Sequence, residues 1–433
     1  MKIKWLKDFL NDKDIHEAFI TGPAGSGKTT LLKSIIKELK DYNFIVTAFT
    51  HKAKEVLLKK LPNNVEITTL HSYLKKRPYI NQKAMKESLI KLIKQFGDPD
   101  KKDILIVDEF SFINDDDYSS ICDLTEDKTI TKCPKCEEEF IDIWYCPKCD
   151  CDTIEVSIIP GIKVIFVGDL NQLPPVKSEC PIYPMKPYWV ELKKVHRSNK
   201  CLQPYLNKIL KMKETGKTEK LIENNKCLFR VDDFKKYFNP NGNDKILAWT
   251  NEAVQYHNFH IAGKNLPSKG DVIYCSQFNQ NIVIYDVLSD TNEVITPFKR
   301  YNTKSKYNPL NTIKKSFKNV LFLETNLGII ATVFGSYNYK IEKEKLAQKL
   351  VKSNKEGKDS KKAYKLFKTF DECVVHTDFP YAATIHKAQG QEWDNVFIDN
   401  LDLSKCKNLD LFFKLLYVSF SRAKNKIYLL NKK

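Results

Sequence analysis

The chain has 433 residues, 42% of them hydrophobic, and its 71 basic residues outnumber its 54 acidic ones. This length and composition exclude a disordered chain and a small domain stabilised mainly by disulfides. They predict a globular protein of two to four domains. The net charge of +17 favours a polyanionic partner such as DNA or RNA over an acidic small molecule. Because no apolar run reaches the length of a membrane span and no export signal is evident, we expect a cytoplasmic protein without a membrane partner.

The first informative motif is a glycine-rich run that follows an apolar strand and opens a helix. Its glycines would let backbone N–H groups surround phosphate oxygens. We expect Lys28 to reach the β- and γ-phosphates of ATP and the Thr29 hydroxyl to bind Mg²⁺. The run meets the P-loop spacing in full and consists of Gly22, Pro23, Ala24, Gly25, Ser26, Gly27, Lys28, Thr29 and Thr30.

Two further apolar strands end in polar residues of the kind that ATP hydrolysis requires. The strand at 103–109 ends in Asp108 and Glu109, which fit a Mg²⁺ ligand and a base that activates water. The strand at 163–169 leads into a turn with Gln172, a candidate sensor of the γ-phosphate. Each motif alone could be an ordinary loop, but their order after a P-loop favours an ATPase.

Four of the twelve cysteines form two Cys-Pro-Lys-Cys turns. Two such turns can present four thiolates to one tetrahedral Zn²⁺, and metal binding would then fold an otherwise coreless loop. Cys151 lies near enough to compete as a ligand, whereas scattered cysteines such as Cys201 are expected to be small buried apolar residues. The predicted zinc ligands are Cys133, Cys136, Cys146 and Cys149.

The ordered motifs resemble the superfamily 1 helicases of the 5′→3′ branch, which include RecD-like and phage Dda-type DNA helicases. The resemblance implies an α/β fold of two RecA-like P-loop domains with parallel sheets, which face each other across an ATP cleft. It also implies a monomeric motor that moves 5′→3′ along single-stranded DNA, unwinds forked DNA, and works with replication, recombination or repair proteins. Besides the three motifs above, it rests on residues 47–53, 69–72, 195–198, 248–251, 383–390 and 416–423.

The resemblance also implies roles for individual residues. Arg197 and Arg422 would be arginine fingers that stabilise the charge developing on the γ-phosphate, and Gly390 would help to bind the nucleotide. The residues implied to contact single-stranded DNA are Thr50, His51, His71, Asn251, Thr384, His386 and Lys387.

The domain organisation follows from the same comparison of motifs. Residues 75–102 are expected to be either a pin that splits the duplex or an ordinary helical connector. Residues 127–153 are the zinc-binding insertion, whose lysines leave open contact with DNA, contact with a partner protein, or a purely structural role. The expected boundaries are 1–185 for the first RecA-like domain, 186–261 and 376–433 for the two parts of the second, and 262–375 for an SH3-like β-barrel insertion with a Lys-rich helical arm.

Other functions share part of this pattern. An RNA-directed helicase would use the same cleft chemistry and differ in how it recognises the sugar 2′-hydroxyl. A non-motor P-loop ATPase that regulates a nucleic-acid complex is disfavoured by the complete set of catalytic residues. The segment before the P-loop lacks the glutamine with which helicases of this group recognise adenine, so the sequence leaves base selectivity open. If the chain is phage-encoded, we expect it in the host cytoplasm.

Overall fold

The computed structural model divides the chain into two compact units, Met1–Ser198 and Asn199–Lys433. Each unit contains a parallel sheet, which confirms the predicted α/β class. The predicted pin or connector at 75–102 lies outside the described residues. The residues described are 4–49, 51–63, 65–74, 103–159, 161–175, 178–184, 186–193, 200–224, 226–278, 280–289, 291, 293–296, 300–302, 309–356 and 360–431.

The first unit is built on a six-stranded parallel sheet with the strand order β11-β1-β10-β4-β2-β3. Its central strands are continuous apolar runs because helices cover both faces of a parallel sheet. Strand β11 pairs with β1 and is therefore part of the first unit. The strands are β1 (Glu17–Thr21), β2 (Asn43–Ala48), β3 (Glu66–Thr69), β4 (Asp103–Asp108), β10 (Lys163–Gly168) and β11 (Trp189–Glu191).

The helices of this unit pack apolar stripes against the sheet. The helix after the P-loop buries Leu31, Leu32, Ile35 and Ile36, a spacing that places all four side chains on one face. The helices are α1 (Lys4–Asn11), α2 (Lys28–Glu38), α3 (His51–Lys60), α4 (Leu70–Tyr73) and α5 (Asp115–Thr125), with a short 3₁₀ helix at Phe110–Phe112.

A small antiparallel insertion separates α5 from β10. Three of its strands form a sheet in the order β6-β5-β9, and two more form a short hairpin that carries cysteines. The last strand of this sheet, β9, continues to Ile159. The strands of the insertion are β5 (Lys128–Lys132), β6 (Glu139–Ile141), β7 (Tyr145–Cys146), β8 (Cys151–Asp152) and β9 (Ile154–Ile159).

The second unit contains a five-stranded parallel sheet in the order β12-β23-β22-β13-β21. The strands are β12 (Leu228–Val231), β13 (Asp244–Ala248), β21 (Ala382–Thr384), β22 (Trp393–Asp399) and β23 (Ala423–Leu430). The accompanying helices are α6 (Gln203–Thr215), α7 (Asn251–Ala262), α11 (Asn400–Leu403) and α12 (Leu409–Ser421), with a 3₁₀ helix at Phe234–Lys236.

One cysteine of this unit differs from expectation. Cys201 forms a disulfide with Cys227, so the prediction of a simple buried apolar residue was wrong. The two residues are 26 positions apart and belong to no motif. Their pairing comes from the fold, which brings the segment before α6 next to the segment before β12.

A closed five-stranded barrel interrupts the second unit, as predicted. Its last pairing, between β19 and β20, is parallel, and a parallel pairing requires a long crossover. Two helices rich in lysine, α9 (Ser336–Glu356) and α10 (Ser360–Cys373), form this crossover and lie in the segment for which a helical arm is expected. The barrel strands are β14 (Val272–Cys275), β15 (Gln280–Leu288), β18 (Leu321–Thr325), β19 (Gly328–Phe334) and β20 (Val374–Asp378). Smaller elements nearby are β16 (Glu293–Ile295), β17 (Arg300–Asn302) and α8 (Leu310–Ser316).

The barrel contains a buried histidine whose protonation the fold opposes. The Nδ1 atom of His376 lies 2.8 Å from the Ser276 hydroxyl, and the Tyr339 ring stacks on the imidazole at 5.1 Å. Burial, together with the positive charge of Lys387, lowers the pKa of His376 to about 3. The folded state therefore holds this imidazole neutral at every pH at which the protein is expected to work.

This histidine predicts a loss of stability in mild acid. The unfolded chain binds a proton at His376 below pH 6.5, whereas the folded chain does not until about pH 3. Protonation of His376 in the unfolded chain should therefore make the free energy of unfolding about 2 kcal/mol lower at pH 5 than at pH 7.5. Urea unfolding of wild type and His376→Gln across this range measures the difference. The exposed His71→Gln is the control, and an unchanged pH dependence in His376→Gln would contradict the assignment.

Candidate active site

Three adjacent strands of the first sheet bring the predicted ATPase residues to one edge. Thr21 of β1 pairs with Gly168 of β10, and Val167 of β10 pairs with Asp108 of β4. Because the carboxyl ends of parallel strands share an edge, the P-loop, the Asp-Glu pair and the Gln172 turn begin side by side. The Gly22 amide donates to the Gly168 carbonyl at 3.2 Å, which joins the first and third of these loops directly.

The P-loop has a backbone shape that glycine permits. A Cβ atom at Gly22 would lie 2.5 Å from the Leu192 carbonyl oxygen and 2.8 Å from the Ser26 hydroxyl. Gly27 has φ 90° and begins α2, a left-handed conformation that favours glycine. The first N–H groups of α2 have no helical acceptor and point out of its N-terminus, which makes this loop an anion site.

The Lys28 side chain lies against the P-loop. Its Nζ atom donates to the carbonyls of Gly22 at 2.7 Å and Pro23 at 3.1 Å. Both acceptors are neutral, so a phosphate can replace them without breaking an ion pair. Thr29 is half-buried beside Lys28, where its hydroxyl can face a cation bound at the phosphates, and Thr30 is exposed.

The Asp-Glu pair carries backbone strain and uncompensated charge. Glu109 has φ 58° and ψ 47°, a left-handed conformation that costs a non-glycine residue about 1–2 kcal/mol. Its buried Oε2 atom has no hydrogen-bond partner among the described residues. Burial and the Glu109 carboxylate raise the pKa of Asp108 to about 7, an effect that the Lys28 charge only partly offsets. Two close carboxylates with this deficit of positive charge fit a divalent cation such as Mg²⁺.

A short turn holds Gln172 beside the end of β10. The Gln172 amide donates to the Asp169 carbonyl at 3.1 Å, and the Asn171 amide donates to the Asp169 carboxylate at 2.9 Å. Gln172 is 3% exposed. The turn therefore fixes the backbone of Gln172 at the end of β10, the strand next to the P-loop strand β1.

Two loops of the second unit also start from adjacent strand ends. Ala248 of β13 pairs with Thr384 of β21, and the Ile385 amide donates to the Ala248 carbonyl at 2.9 Å. Asn251 is the first residue of α7, directly after Thr250, whose hydroxyl caps that helix by accepting from the Ala253 amide at 3.2 Å. Asn251 and the Thr384 loop are therefore neighbours at the edge of the second sheet.

The Thr384 loop carries the other predicted nucleic-acid contacts of this unit. The buried Thr384 hydroxyl accepts from the Lys387 amide at 3.4 Å, which shapes the turn. Burial lowers the pKa of the half-buried His386 and so favours its neutral ring. Part of the Lys387 side chain reaches the surface, but desolvation of its ammonium lowers the pKa of Lys387, an effect that the Asp378 charge partly offsets. Gly390 is exposed with φ 72°.

Arg422 ties the end of α12 to this same loop. It is 5% exposed, and its guanidinium donates to the Gln391 and Val418 carbonyls, each at 3.3 Å, and to the Ser421 hydroxyl at 2.8 Å. Sequence patterns predicted an arginine finger here but not these contacts. Arg422 therefore also positions the loop that contains Gly390.

A buried carboxylate, which the sequence patterns missed, fixes the loop before α7. Asp402 accepts from the amides of Trp249 at 2.9 Å and Thr250 at 2.8 Å, and from the Thr250 hydroxyl at 3.0 Å. Asp402 lies about 150 positions away in the chain and belongs to no motif, so nothing local could have indicated it.

The remaining predicted contacts belong to the first unit or fall outside the described residues. His71 is half-exposed, and its Nε2 atom lies 3.5 Å from the Asp117 carboxylate. Thr50, Arg197 and the side chain of His51 are not among the described residues.

Comparison with known proteins places these motifs in a family. Residues 13–178 match the model of an AAA domain, and residues 379–430 match the UvrD-like helicase C-terminal domain. A segment of 99 residues is 40% identical to the ATP-dependent DNA helicase Dda of Enterobacteria phage T4, covering 22% of this chain and 21% of Dda. The chain belongs to the superfamily 1 helicases.

Other relatives match this helicase over nearly its whole length. An uncharacterized protein of Methanocaldococcus jannaschii is 24% identical over 95% of the chain, which spans 36% of that protein. An uncharacterized protein of Acanthamoeba polyphaga mimivirus is 22% identical, with 98% of the chain and 97% of that protein covered. The chain thus spans about a third of the archaeal relative but almost all of the viral one.

Solved helicase structures are loosely similar. The Pif1 helicase from Candida albicans has a TM-score of 0.46 at 15% identity, covering 100% of this chain and 94% of that one. The Bacteroides Pif1 bound to ssDNA has a TM-score of 0.42 at 17% identity, covering 99% of this chain and 92% of that one.

None of the helices in the described ranges of the present helicase combines the length and the hydropathy that a bilayer span requires.

The cysteines of the insertion in this helicase converge as their spacing predicts. The Sγ atoms of Cys133, Cys136, Cys146 and Cys149 all lie within 4.8 Å of one another. Those of Cys136 and Cys146 are 3.7 Å apart, which matches the edge of about 3.8 Å for a tetrahedron of thiolates around Zn²⁺. The Cys151 Sγ atom is 3.6 Å from that of Cys133, so a fifth thiol borders the cluster.

The two cysteine turns share one backbone geometry that favours metal binding. Glu137 and Asp150 follow the turns with φ 58° and 54°, and their amides donate to the carbonyls of Cys133 and Cys146 at 2.9 and 3.0 Å. Desolvation opposes ionisation of Cys133, but the Cys136 and Lys135 amides and neighbouring thiols lower the pKa of its thiol to about 6. Hydrogen bonding with Cys136 and desolvation instead raise the pKa of the Cys149 thiol to about 12, so the cluster is only partly ionised at neutral pH, and a bound Zn²⁺ would favour the thiolate form of each cysteine.

We expect the purified helicase to contain one zinc ion per chain. Cys133→Ser should lose the ion, because it removes one of four converging thiolates, whereas Cys151→Ser should retain it. Metal analysis of protein prepared without chelator measures both. Cys122→Ser, outside the insertion, is the control. A metal-free wild type, or equal loss in Cys151→Ser, would contradict the assigned ligand set.

We expect Lys28→Ala to lower ATP turnover by about 10²- to 10³-fold or more, because the developing phosphate charge loses its ammonium partner. Single-strand binding should remain, since Lys28 lies on the P-loop. Steady-state hydrolysis and a binding titration measure the two properties. Lys33→Ala, which changes an exposed lysine of the same helix, is the matched control. Joint loss of turnover and binding would indicate a structural role for Lys28.

Proposed function

We propose that this helicase is an ATP-driven motor that moves 5′→3′ along single-stranded DNA and unwinds duplex DNA at forks. The observation that carries the proposal is the convergence of the P-loop, the strained Asp-Glu pair and the Gln172 turn at three adjacent strand ends. This is the set of groups that hydrolysis of a nucleoside triphosphate requires.

The proposed chemistry divides among the residues of the first unit. The backbone amides from Gly22 to Thr30 and the Lys28 ammonium bind the triphosphate. Glu109 takes a proton from the attacking water, and Gln172 orients that water at the γ-phosphate. Thr29 and Asp108 would hold Mg²⁺, which, when bound, neutralises charge on the β- and γ-phosphates.

Residues of the second unit complete the proposal. Arg197 and Arg422 are the proposed arginine fingers, and Gly390 is the proposed nucleotide contact in the loop that Arg422 positions. Asn251, Thr384, His386 and Lys387 are proposed to contact the single strand, with Thr50, His51 and His71 in the first unit. The adjacency of the Asn251 and Thr384 loops supports a shared surface.

DNA is the proposed substrate for two reasons. The chain carries a net charge of +17, which suits a phosphate backbone, and the T4 relative is named as a DNA helicase. Roles in replication, recombination or repair and a monomeric state follow from the same likeness. ATP is the proposed nucleotide.

Steady-state ATP hydrolysis with and without single-stranded DNA tests the proposal, with RNA of the same sequence and a GTP series in parallel. We expect strong stimulation by DNA, followed by unwinding of duplexes that carry a 5′ tail and not of those that carry a 3′ tail. Stimulation by RNA alone would make the enzyme RNA-directed. Rates that no nucleic acid changes would contradict a motor function.

We expect Arg422→Ala to lower ATP turnover by about 10³-fold if Arg422 stabilises the transition state. Its contacts with Gln391 and Ser421 add a positioning role, so Arg422→Lys should restore little of the rate, because lysine cannot make the forked contacts. Turnover and thermal unfolding are measured together. Lys424→Ala, at an exposed cation two positions away, is the control. A near-normal rate in Arg422→Ala would remove this residue from catalysis.

A further inference from the structure

The insertion between α5 and β10 exposes a surface that the nucleotide site does not use. The Thr153 amide donates to the Trp144 carbonyl at 3.0 Å, and the Thr153 hydroxyl donates to the Ile143 carbonyl at 2.7 Å. These bonds hold two apolar runs side by side. The exposed apolar side chains of these two runs together are called the apolar cluster. Its members, each 42–56% exposed, are Ile143, Trp144, Tyr145, Ile154, Val156 and Ile158.

Half of the apolar cluster lies on a strand with a free edge. Strand β9 is the outermost strand of its sheet, and within the described ranges nothing pairs with its other side. Natural proteins usually protect such edges with lysine, proline or a covering element. Strand β9 instead presents aliphatic side chains and one carboxylate, Glu155. A free edge flanked by apolar side chains is a surface to which an extended peptide can add as a further strand.

The charge of the insertion indicates what kind of peptide would bind. From Lys128 to Ile159 there are seven acidic side chains and four lysines, a net charge of −3 in a chain that carries +17. Lys132 and Lys148 already pair with Glu137 at 3.6 Å and Glu138 at 2.8 Å. A zinc ion held by four thiolates would add about −2 more. Such a surface repels a phosphate backbone and attracts basic side chains.

We propose that the apolar cluster and the free edge of β9 bind a basic, extended segment of a partner protein. The segment adds to the sheet β6-β5-β9 as a fourth strand. Its aliphatic side chains contact the apolar cluster, and its lysine or arginine side chains face carboxylates such as Glu155 and Asp152. In this arrangement the cysteine turns position the segment that contains Trp144. The inference is independent of the motor activity proposed above.

A peptide titration tests the docking surface on the full-length protein loaded with zinc. The probe is a capped nine-residue peptide in which lysine and valine alternate. One control peptide has proline at its central valine, which removes a backbone donor and disrupts strand pairing. A second control peptide has glutamate at every lysine. Fluorescence anisotropy of labelled peptide measures affinity, and hydrogen exchange locates the protected amides.

We expect the basic peptide to protect amides within Ile154–Ile159 and to bind at least ten-fold more tightly than either control peptide. Val156→Lys and Ile158→Lys should each weaken binding at least ten-fold, because a lysine on the edge blocks pairing and repels the peptide. Val351→Lys, at an equally exposed valine on α9, should leave binding unchanged. Zinc content and DNA-stimulated ATP hydrolysis should be unaffected in all three variants.

Several results would overturn the proposal. Equal binding of the proline peptide would mean a contact without strand addition, and equal binding of the glutamate peptide would refute the charge argument. Absence of protection in β9 would place any binding elsewhere. Sedimentation that shows a wild-type dimer lost in Val156→Lys would assign the apolar cluster to a second copy of the chain. Reduced DNA affinity in Val156→Lys would assign it to nucleic acid.

Discussion

The parallel pairing of β1 with β10, and of β10 with β4, decides where the reacting groups of the first unit lie. Parallel strands must enter from the same end, so their carboxyl ends release three loops at one edge. Because the register sets Thr21 beside Gly168 and Asp108 beside Val167, the P-loop and its acidic partners start two strands apart, with the Gln172 turn on the strand between them. A one-residue slip in either pair would move every side chain to the opposite face of the sheet and place Phe19 where Ile20 packs, so close packing of the apolar cores on both faces favours the register on which the chemistry depends.

The strain and unpaired charge at this edge are consistent with a site that is completed by its ligands. Glu109 adopts a left-handed conformation and keeps a buried oxygen without a partner in the described ranges, while Asp108 is difficult to ionise. In an ordinary protein interior these features would only destabilise the fold. A triphosphate and its cation would supply the missing positive charge and hydrogen bonds, so ligand binding and local stability are coupled.

Sequence reasoning reached the sheets, the barrel and the cysteine cluster because each rests on local information. Glycine spacing indicates a P-loop and two Cys-Pro-Lys-Cys turns indicate a thiolate cluster, whereas the barrel was suggested by a series of short strands and turns together with the family resemblance. Sequence patterns could not predict contacts between distant segments. The bonds from Asp402 to the Thr250 segment and the Cys201–Cys227 disulfide depend on how strands far apart in the chain are ordered, and no spacing within one segment encodes that order. Strand β11 is a further example, since it belongs to the first sheet only through its pairing with β1.

A contact between distant segments gives Arg422 a role that its motif alone does not predict. As part of a sequence pattern it is a cation for the γ-phosphate, and its guanidinium would have to remain available to that phosphate. In the structure the same group bonds carbonyls on both α12 and the Gln391 loop. A movement of Arg422 toward a phosphate must therefore lengthen or exchange its bond to Gln391, and that loop begins at Thr384, beside the strand end that leads to Asn251. The contact thus links the position of the Arg422 guanidinium to the loop that carries the proposed DNA contacts. It needs only one guanidinium shared between two sets of acceptors.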